Sequence, residues 1–157
     1  LEDFKLVPGA SEAVSRIQEE GYLSIVVTNQ PDIATGKQTP AALAQMHEIL
    51  RAALDVDDIF VCPHSSEDGC DCRKPRPGML VAAGHKWDID LSRSVMVGDR
   101  WRDVEAGKAV GCATVFIDYN YDESRPDGAD YVSTSLADSL SFILKELRRR
   151  AAAADIN

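Results

Sequence analysis

The sequence predicts an α/β fold whose parallel sheet is covered by helices on both faces. Short apolar or β-branched runs alternate with segments of helical periodicity along the chain, which is the pattern of βαβ units. The polar residues with the most reactive side chains follow those runs, and open parallel sheets bind ligands beyond the carboxyl ends of their strands. With 157 residues, 45% of them hydrophobic, the chain is sized for one domain with a substantial core. It contains no internal repeat and no long linker.

Taken in order, residues 1–9 (Leu-Glu-Asp-Phe-Lys-Leu-Val-Pro-Gly) read like the middle of a loop, and the absence of an initial Met suggests a partial sequence. A helix is expected from Ala10 to Glu20, with Ala13, Val14 and Ile17 at helical spacing and Gly21 as its stop. Leu23 to Val27 is a β-branched run of the kind buried in parallel sheets. Thr39-Pro40 opens a second helix that runs to Leu54, with Pro where a missing N–H does no harm. Ile59 to Val61 is a strand, Pro77 to Trp87 a helix, and Ser94 to Val97 a strand. Arg102 to Val110 is a helix ended by Gly111, and Ala113 to Ile117 a strand. Tyr131-Val132 adds a last short strand, and Leu136 to Arg150 a terminal helix.

The chemistry concentrates in one block. Cys62, His64, Cys70 and Cys72 form a complete Cys3His set within eleven residues, and Arg73-Lys74-Pro75-Arg76-Pro77-Gly78-Met79 follows at once. Four thiolate or imidazole ligands satisfy tetrahedral zinc and leave no open position, so the zinc is expected to clamp the loop rather than react. The alternative is a reducible disulfide or free thiols. Cys70 and Cys72 are too close in sequence to pair comfortably, and Cys112 lies in a distant apolar segment as a small buried hydrophobe.

Composition narrows the partners. No apolar run reaches the roughly 18 residues of a membrane span, and no basic-then-apolar secretory leader is present. Thiols held for metal favour a reducing cytoplasm. A net charge of −9 argues against general nucleic-acid binding, so any phosphate must be bound by local cations. A small phosphorylated metabolite and a monomeric protein are the expectation.

The rim residues divide by role. Thr28 and Asn29 can hydrogen-bond phosphate oxygens without adding charge, although a Thr after a strand is commonly only a turn residue. Lys74 offers a point charge for a transferring phosphoryl group, and Arg73 a planar fork for a second part of the substrate. Asp99 is a candidate Mg²⁺ carboxylate. Asp103 could orient Lys74 or a metal-bound water; either acid could instead be a helix cap.

Val26-Val27-Thr28-Asn29-Gln30, the cysteine block through Met79, and Val97-Gly98-Asp99-Arg100-Trp101-Arg102-Asp103 together resemble the second, third and fourth signature motifs of haloacid-dehalogenase-type phosphatases. More narrowly they resemble the capless, zinc-loop branch that contains heptose bisphosphate and histidinol-phosphate phosphatases. The likeness runs from Val7 to Tyr119. It implies a Rossmann-like three-layer αβα fold and Mg²⁺-dependent phosphomonoester hydrolysis. It also implies Thr28 and Lys74 as the catalytic residues on the transferring phosphate, Asp99 on Mg²⁺, and Asn29 and Arg73 near the substrate.

One departure is large. The family uses an Asp-x-Asp-Gly motif after its first strand, in which one carboxylate is the nucleophile of an aspartyl-phosphate and the next the general acid/base. The sequence offers no such segment. Asp55-Val56-Asp57 and Asp88-Ile89-Asp90 precede strands, and Asp118 and Asp122 have the wrong spacing. Residues 1–157 are thus read as a single phosphatase domain lacking its N-terminal strand and Asp-x-Asp motif, active in the intact protein and inactive alone. Pro31 to Gly36 departs from the heptose branch by lacking a cation, and the short zinc spacer with Gly-Asp-Arg looks like the histidinol branch, while Pro77-Gly78-Met79 looks like the heptose branch.

A sugar bisphosphate of the D-glycero-D-manno-heptose 1,7-bisphosphate type is the expected substrate. Histidinol phosphate is the alternative, as is a non-catalytic phosphate-binding domain. A phosphoacceptor receiver domain is disfavoured, because Thr28 and Lys74 precede Asp99 here. Arg148-Arg149-Arg150 is expected to cap a helix C-terminus. Trp87, Trp101, Tyr119 and Tyr121 are expected to pack in the core or on the rim rather than stack on substrate.

Overall fold

The computed structural model describes residues 6–154; residues 1–5, part of the segment read as loop, lie outside them. The chain divides into two units, Leu1–Arg73 and Lys74–Asn157.

The first unit begins with α1, Ala10–Glu19, whose Ala10, Ala13 and Val14 are buried and whose Ile17 is half-buried. Gly21 follows with φ 85°, the left-handed conformation that commonly ends a helix. This helix rests on α3, Pro40–Leu54. Ser11 Oγ donates to the Ala53 carbonyl at 3.1 Å, and Gln18 Nε2 to the Asp55 carbonyl at 2.7 Å. Thr39 caps α3 by accepting the Ala42 N–H at 3.1 Å, a contact worth about 1 kcal/mol.

Between the helices lie β1, Ile25–Asn29, and the short helix α2, Pro31–Ala34. β1 begins later than expected and continues through Thr28 and Asn29. The cause is its parallel partner β2, Asp58–Cys62, which pairs Thr28 with Val61 and Asn29 with Cys62. These two rim residues therefore belong to the strand end rather than to the turn after it. The β-branched Thr suits that position.

The second unit contains α4, Gly78–Trp87, a 3₁₀ turn at Leu91–Arg93, β3, Val95–Gly98, α5, Trp101–Ala109, β4, Ala113–Ile117, β5, Tyr131–Ser133, and α6, Leu136–Ala154. Its strands are all parallel, in the order β3-β4-β5. Every residue of central β4 is buried. Thr114, a polar residue in that strand, is satisfied by the Asp130 carboxylate, which accepts from its N–H at 2.7 Å and from its hydroxyl at 3.0 Å. α5 lies close on the sheet because residue 107 is Gly; a Cβ there would come within 2.6 Å of Met96 Cβ. Ile143, Leu144 and Leu147 of α6 complete the core, each burial worth about 1.5–3 kcal/mol.

The expected parallel strands with helices are present; among the described residues the strands pair as β1-β2 and β3-β4-β5. One expectation needs correction. The terminal helix runs on through Ala154, carried by the strong helix formers Ala151 to Ala154, so Arg148 to Arg150 do not cap its end. Arg149 and Arg150 instead grip Glu146 at 2.5 and 2.8 Å, and Arg150 Nη1 donates to the carbonyls of Ser92 and Gly111. No helix among the described residues is long and apolar enough to cross a membrane.

Candidate active site

β2 ends on Cys62, a completely buried residue, and the loop beyond it returns His64, Cys70 and Cys72 to the same point. The four ligand atoms lie within 4.8 Å of one another. Cys62 Sγ is 3.6 Å from both His64 Nδ1 and Cys70 Sγ; Cys70 Sγ is 3.5 Å from Cys72 Sγ, and His64 Nδ1 3.2 Å from Cys72 Sγ. A tetrahedral ion with metal–sulfur bonds of about 2.3 Å and metal–nitrogen bonds of about 2.0–2.1 Å has ligand–ligand edges of roughly 3.5–3.8 Å. The spacing fits such an ion and is far too long for disulfides, and all four cysteines are free.

The thiols perturb one another. Burial pushes the Cys70 thiol up, but hydrogen bonds from Cys72, the Arg73 N–H and Cys62 pull it down to about 7. Burial and the two neighbouring thiols push Cys72 up to about 12. Bringing three thiolates together is costly without a cation between them. The loop also directs Arg73, whose Nη1 donates to the His64 carbonyl at 3.2 Å. On the same unit, Thr28 Oγ1 accepts from Gln30 Nε2 at 3.1 Å, and the Gln30 N–H donates to the Cys62 carbonyl at 2.8 Å.

In the second unit the carboxyl end of β3 carries a charged cluster. Lys74 is buried, and its Nζ lies 2.6 Å from Asp103 Oδ1. Asp103 Oδ2 accepts the Arg100 N–H at 3.0 Å, which fixes the carboxylate at the start of α5. Gly98 makes this possible, because a Cβ there would overlap the Asp103 carboxylate. Of the two roles considered for Asp103, the geometry is that of a partner to Lys74 and a cap for α5 together. Asp99, half-buried, stands at the rim between these groups and the β4–β5 loop.

That loop contributes contacts that sequence reasoning missed. Tyr121 donates its hydroxyl to Asp99 Oδ2 at 3.0 Å. Glu123 accepts from Arg100 at 3.0 Å and from Arg102 at 2.5 Å. Those two arginines hold the Glu123 carboxyl below its usual range, while burial and the Asp99 carboxylate raise the Tyr121 hydroxyl. Asp99, Phe116, Asp118, Tyr121 and Arg125 line a small cavity here. Tyr119 meets Tyr121 edge to face at 5.9 Å, so both lie on the rim, and Trp87 is likewise partly exposed. Cys112 is buried, and that burial raises its thiol to about 11.

Within the second unit, Lys74 supplies a fixed positive charge suited to an oxyanion and Asp99 an oxygen ligand suited to a hard cation. Within the first unit, Thr28 and Asn29 supply neutral hydrogen-bonding groups at the end of β1. Asp118, one candidate for an internal nucleophile, is already engaged: it accepts the Asn120 N–H at 2.8 Å and pairs with Arg125 at 2.9 Å. Asp57 accepts the N–H of Ser24, just before β1, and Asp90 that of Ser92 in the 3₁₀ turn.

A family model described as HAD-hydrolase-like matches residues 71–140. The chain is 37% identical over 152 residues to a D-glycero-β-D-manno-heptose-1,7-bisphosphate 7-phosphatase from Pseudomonas putida, covering 94% of this chain and 87% of the relative. It is 34% identical to the enzyme of the same name from Escherichia coli K12, covering 93% and 84%. Among solved structures it is similar to the D,D-heptose 1,7-bisphosphate phosphatase of Bordetella bronchiseptica complexed with magnesium and phosphate. That likeness has a TM-score of 0.82 and 32% identity, over 92% of this chain and 87% of the other. A HAD-like phosphatase from Mesorhizobium loti gives a TM-score of 0.77 at 31% identity, over 95% and 77%.

Proposed function

We propose that this chain, which belongs to the haloacid-dehalogenase-like hydrolases, is the phosphate-binding body of a phosphatase acting on a small sugar bisphosphate, D-glycero-D-manno-heptose 1,7-bisphosphate. The buried Lys74–Asp103 pair set beside Asp99 at the carboxyl end of β3 carries this reading. A buried cation paired with a carboxylate suits a phosphoryl group whose charge must be neutralised as it transfers.

Asp99 fits Mg²⁺, which takes few protein carboxylates and keeps waters and phosphate oxygens as its other ligands. When bound, Mg²⁺ would neutralise phosphate charge beside that carboxylate. Lys74 holds the transferring phosphoryl group, and Asp103 positions Lys74. Thr28 hydrogen-bonds the same group, while Asn29 and Arg73 hold the rest of the substrate. The nucleophile and the acid/base belong to an Asp-x-Asp segment upstream of Leu1, where an aspartyl-phosphate forms and is hydrolysed. In support, the two Asp-x-Asp pairs of residues 1–157, Asp55-Val56-Asp57 and Asp88-Ile89-Asp90, precede β2 and β3 and are not followed by Gly.

The Cys3His knot holds structural zinc and keeps Arg73 aimed through the His64 carbonyl. Thiolates kept for zinc imply a reducing cytoplasm, and the protein works as a monomer on a small metabolite rather than on nucleic acid.

Phosphate release from heptose 1,7-bisphosphate and from histidinol phosphate, with Mg²⁺, tests the reading when this chain is compared with a form extended upstream. Activity is expected only in the extended form and on the heptose. In that form Lys74→Ala should lower kcat by about 100- to 1,000-fold. An effect confined to KM would make Lys74 an ordinary binding residue. Preference for histidinol phosphate would overturn the substrate assignment, and phosphate binding without turnover would leave a binding domain.

A further inference from the structure

We infer that Tyr121 is a positioning residue for Asp99: its hydroxyl holds one carboxylate oxygen, so that Asp99 presents only the other to a divalent cation and thereby favours Mg²⁺ over Ca²⁺. This deepens the phosphatase reading above and rests on its assignment of Asp99 to Mg²⁺. Tyr121 lies in the β4–β5 loop, and its hydroxyl donates to Asp99 Oδ2 at 3.0 Å. Among the described residues no hydrogen bond reaches Asp99 Oδ1.

The ring is held in place by its neighbours. The Arg100 guanidinium carbon stands 3.9 Å over the ring centroid, and Tyr119 meets the ring edge to face at 5.9 Å. Arg100 is tethered in turn to Glu123 at 3.0 Å. The root of the loop is also fixed. Asp118 donates its N–H to the Ser133 carbonyl at 2.8 Å, and its carboxylate accepts the Asn120 N–H at 2.8 Å and pairs with Arg125 at 2.9 Å. Asn120 takes a left-handed conformation, φ 57°, which Asn tolerates better than most residues and which turns the chain between the two tyrosines.

Tyr121 is 43% exposed, so its ring adds little to the core. The Arg100 and Tyr119 contacts use the ring and brace the loop without the hydroxyl. Among the described residues, the partner of the hydroxyl is the candidate metal ligand. The two ions make different demands on that ligand. Mg²⁺ requires near-octahedral geometry with short bonds, keeps several waters and is served by a single carboxylate oxygen. Ca²⁺ accepts a larger, more flexible oxygen shell and commonly takes both oxygens of one carboxylate. A carboxylate free to swing can serve either ion. One whose Oδ2 is engaged by a phenol binds through Oδ1, and chelating Ca²⁺ would break the phenol's hydrogen bond. Outer hydrogen bonds of this kind orient metal ligands and tune their affinity.

The test is a calorimetric titration of the form extended upstream with MgCl₂ and, separately, with CaCl₂, in the absence of substrate. Wild type, Tyr121→Phe and Asp99→Asn are compared. Tyr121→Phe removes the hydroxyl and keeps the ring. It is expected to lower the ratio of the Ca²⁺ to the Mg²⁺ dissociation constant about tenfold, the low end of the effect of losing an outer partner of a metal ligand. A purely structural defect would weaken both ions together. An unchanged or raised ratio, or loss of both ions together, therefore overturns the proposal. Asp99→Asn is expected to abolish Mg²⁺ binding. If that variant binds Mg²⁺ as wild type does, or wild type binds neither ion, the assignment of Asp99 fails and the proposal with it. If Asp99→Asn loses Mg²⁺ while the Tyr121→Phe ratio stays at the wild-type value, the assignment stands and the proposal alone fails.

Discussion

The first unit, around β1 and β2, and the second, around β4, use the same kinds of strand residue and bury them to different depths. All five residues of β1 are half-buried, and α3 has no buried residue. All five residues of β4 are buried, including the polar Thr114 at 0% exposed. Val26 is thus wetter than Thr114, against what their hydropathy would assign. The cause is position. β4 has a hydrogen-bonded strand on each side, whereas β1 has β2 among the described strands. Depth follows the number of flanking elements, and the polar Thr is tolerated because Asp130 satisfies it.

A unit with so little fully buried apolar surface needs another source of order, and the Cys3His knot at the end of β2 is suited to supply it. Structural zinc contributes roughly 10–16 kcal/mol in small zinc domains, comparable with the whole stability of about 5–15 kcal/mol of an ordinary one. Cys70→Ser, or chelation of the wild type, should therefore abolish metal binding and strip hydrogen-exchange protection from β2 and the loop through Arg73. Protection of β4 should persist. Retained metal with unchanged protection in the first unit would break the contrast, and loss of protection in both units together would show that the knot supports the whole chain.

A smaller effect separates the strands themselves. Val115→Ala removes two methyl groups from a site that is 0% exposed and should cost about 2 kcal/mol in denaturant unfolding. Val26→Ala, at a half-buried site, should cost less than half as much. Equal costs would mean that β1 is packed as tightly as β4 in solution, as by a further strand alongside it.

Much of this organisation is legible in the sequence because it is local. The βα alternation follows from periodicity, Thr39-Pro40 announces its own helix start, and the four candidate metal ligands are spaced within eleven residues. What escapes is non-local. Thr28 and Asn29 fall inside β1 because β2 is there to pair with them, which no window around residue 28 can reveal. Glu123 is far in sequence from Arg100 and Arg102, and only the return of the β4–β5 loop over the end of β3 joins them. The Tyr121 hydroxyl contact with Asp99 is hidden for the same reason. The arginine run of α6 was misplaced because the alanines after it prolong the helix.

That run provides the finest probe of the second unit. Hydrogen bonding by Arg149, opposed by burial and helped by Arg150, lowers the Glu146 carboxyl from 4.5 to about 2. A carboxylate whose pKa is depressed in the folded state adds stability above its unfolded pKa and loses it as pH falls toward the folded value. Glu146→Gln should therefore destabilise the protein at pH 7, by about 1 kcal/mol or less, since Arg149 is exposed and solvent screens its share. The gap between variant and wild type should narrow as pH drops below 4.5 and close near 2. Arg150 also donates to the carbonyls of Ser92 and Gly111, so Arg150→Met should cost more than Glu146→Gln and keep much of its cost at low pH. A gap that ignored pH for Glu146→Gln would mean that the side chain stabilises α6 by packing rather than by charge.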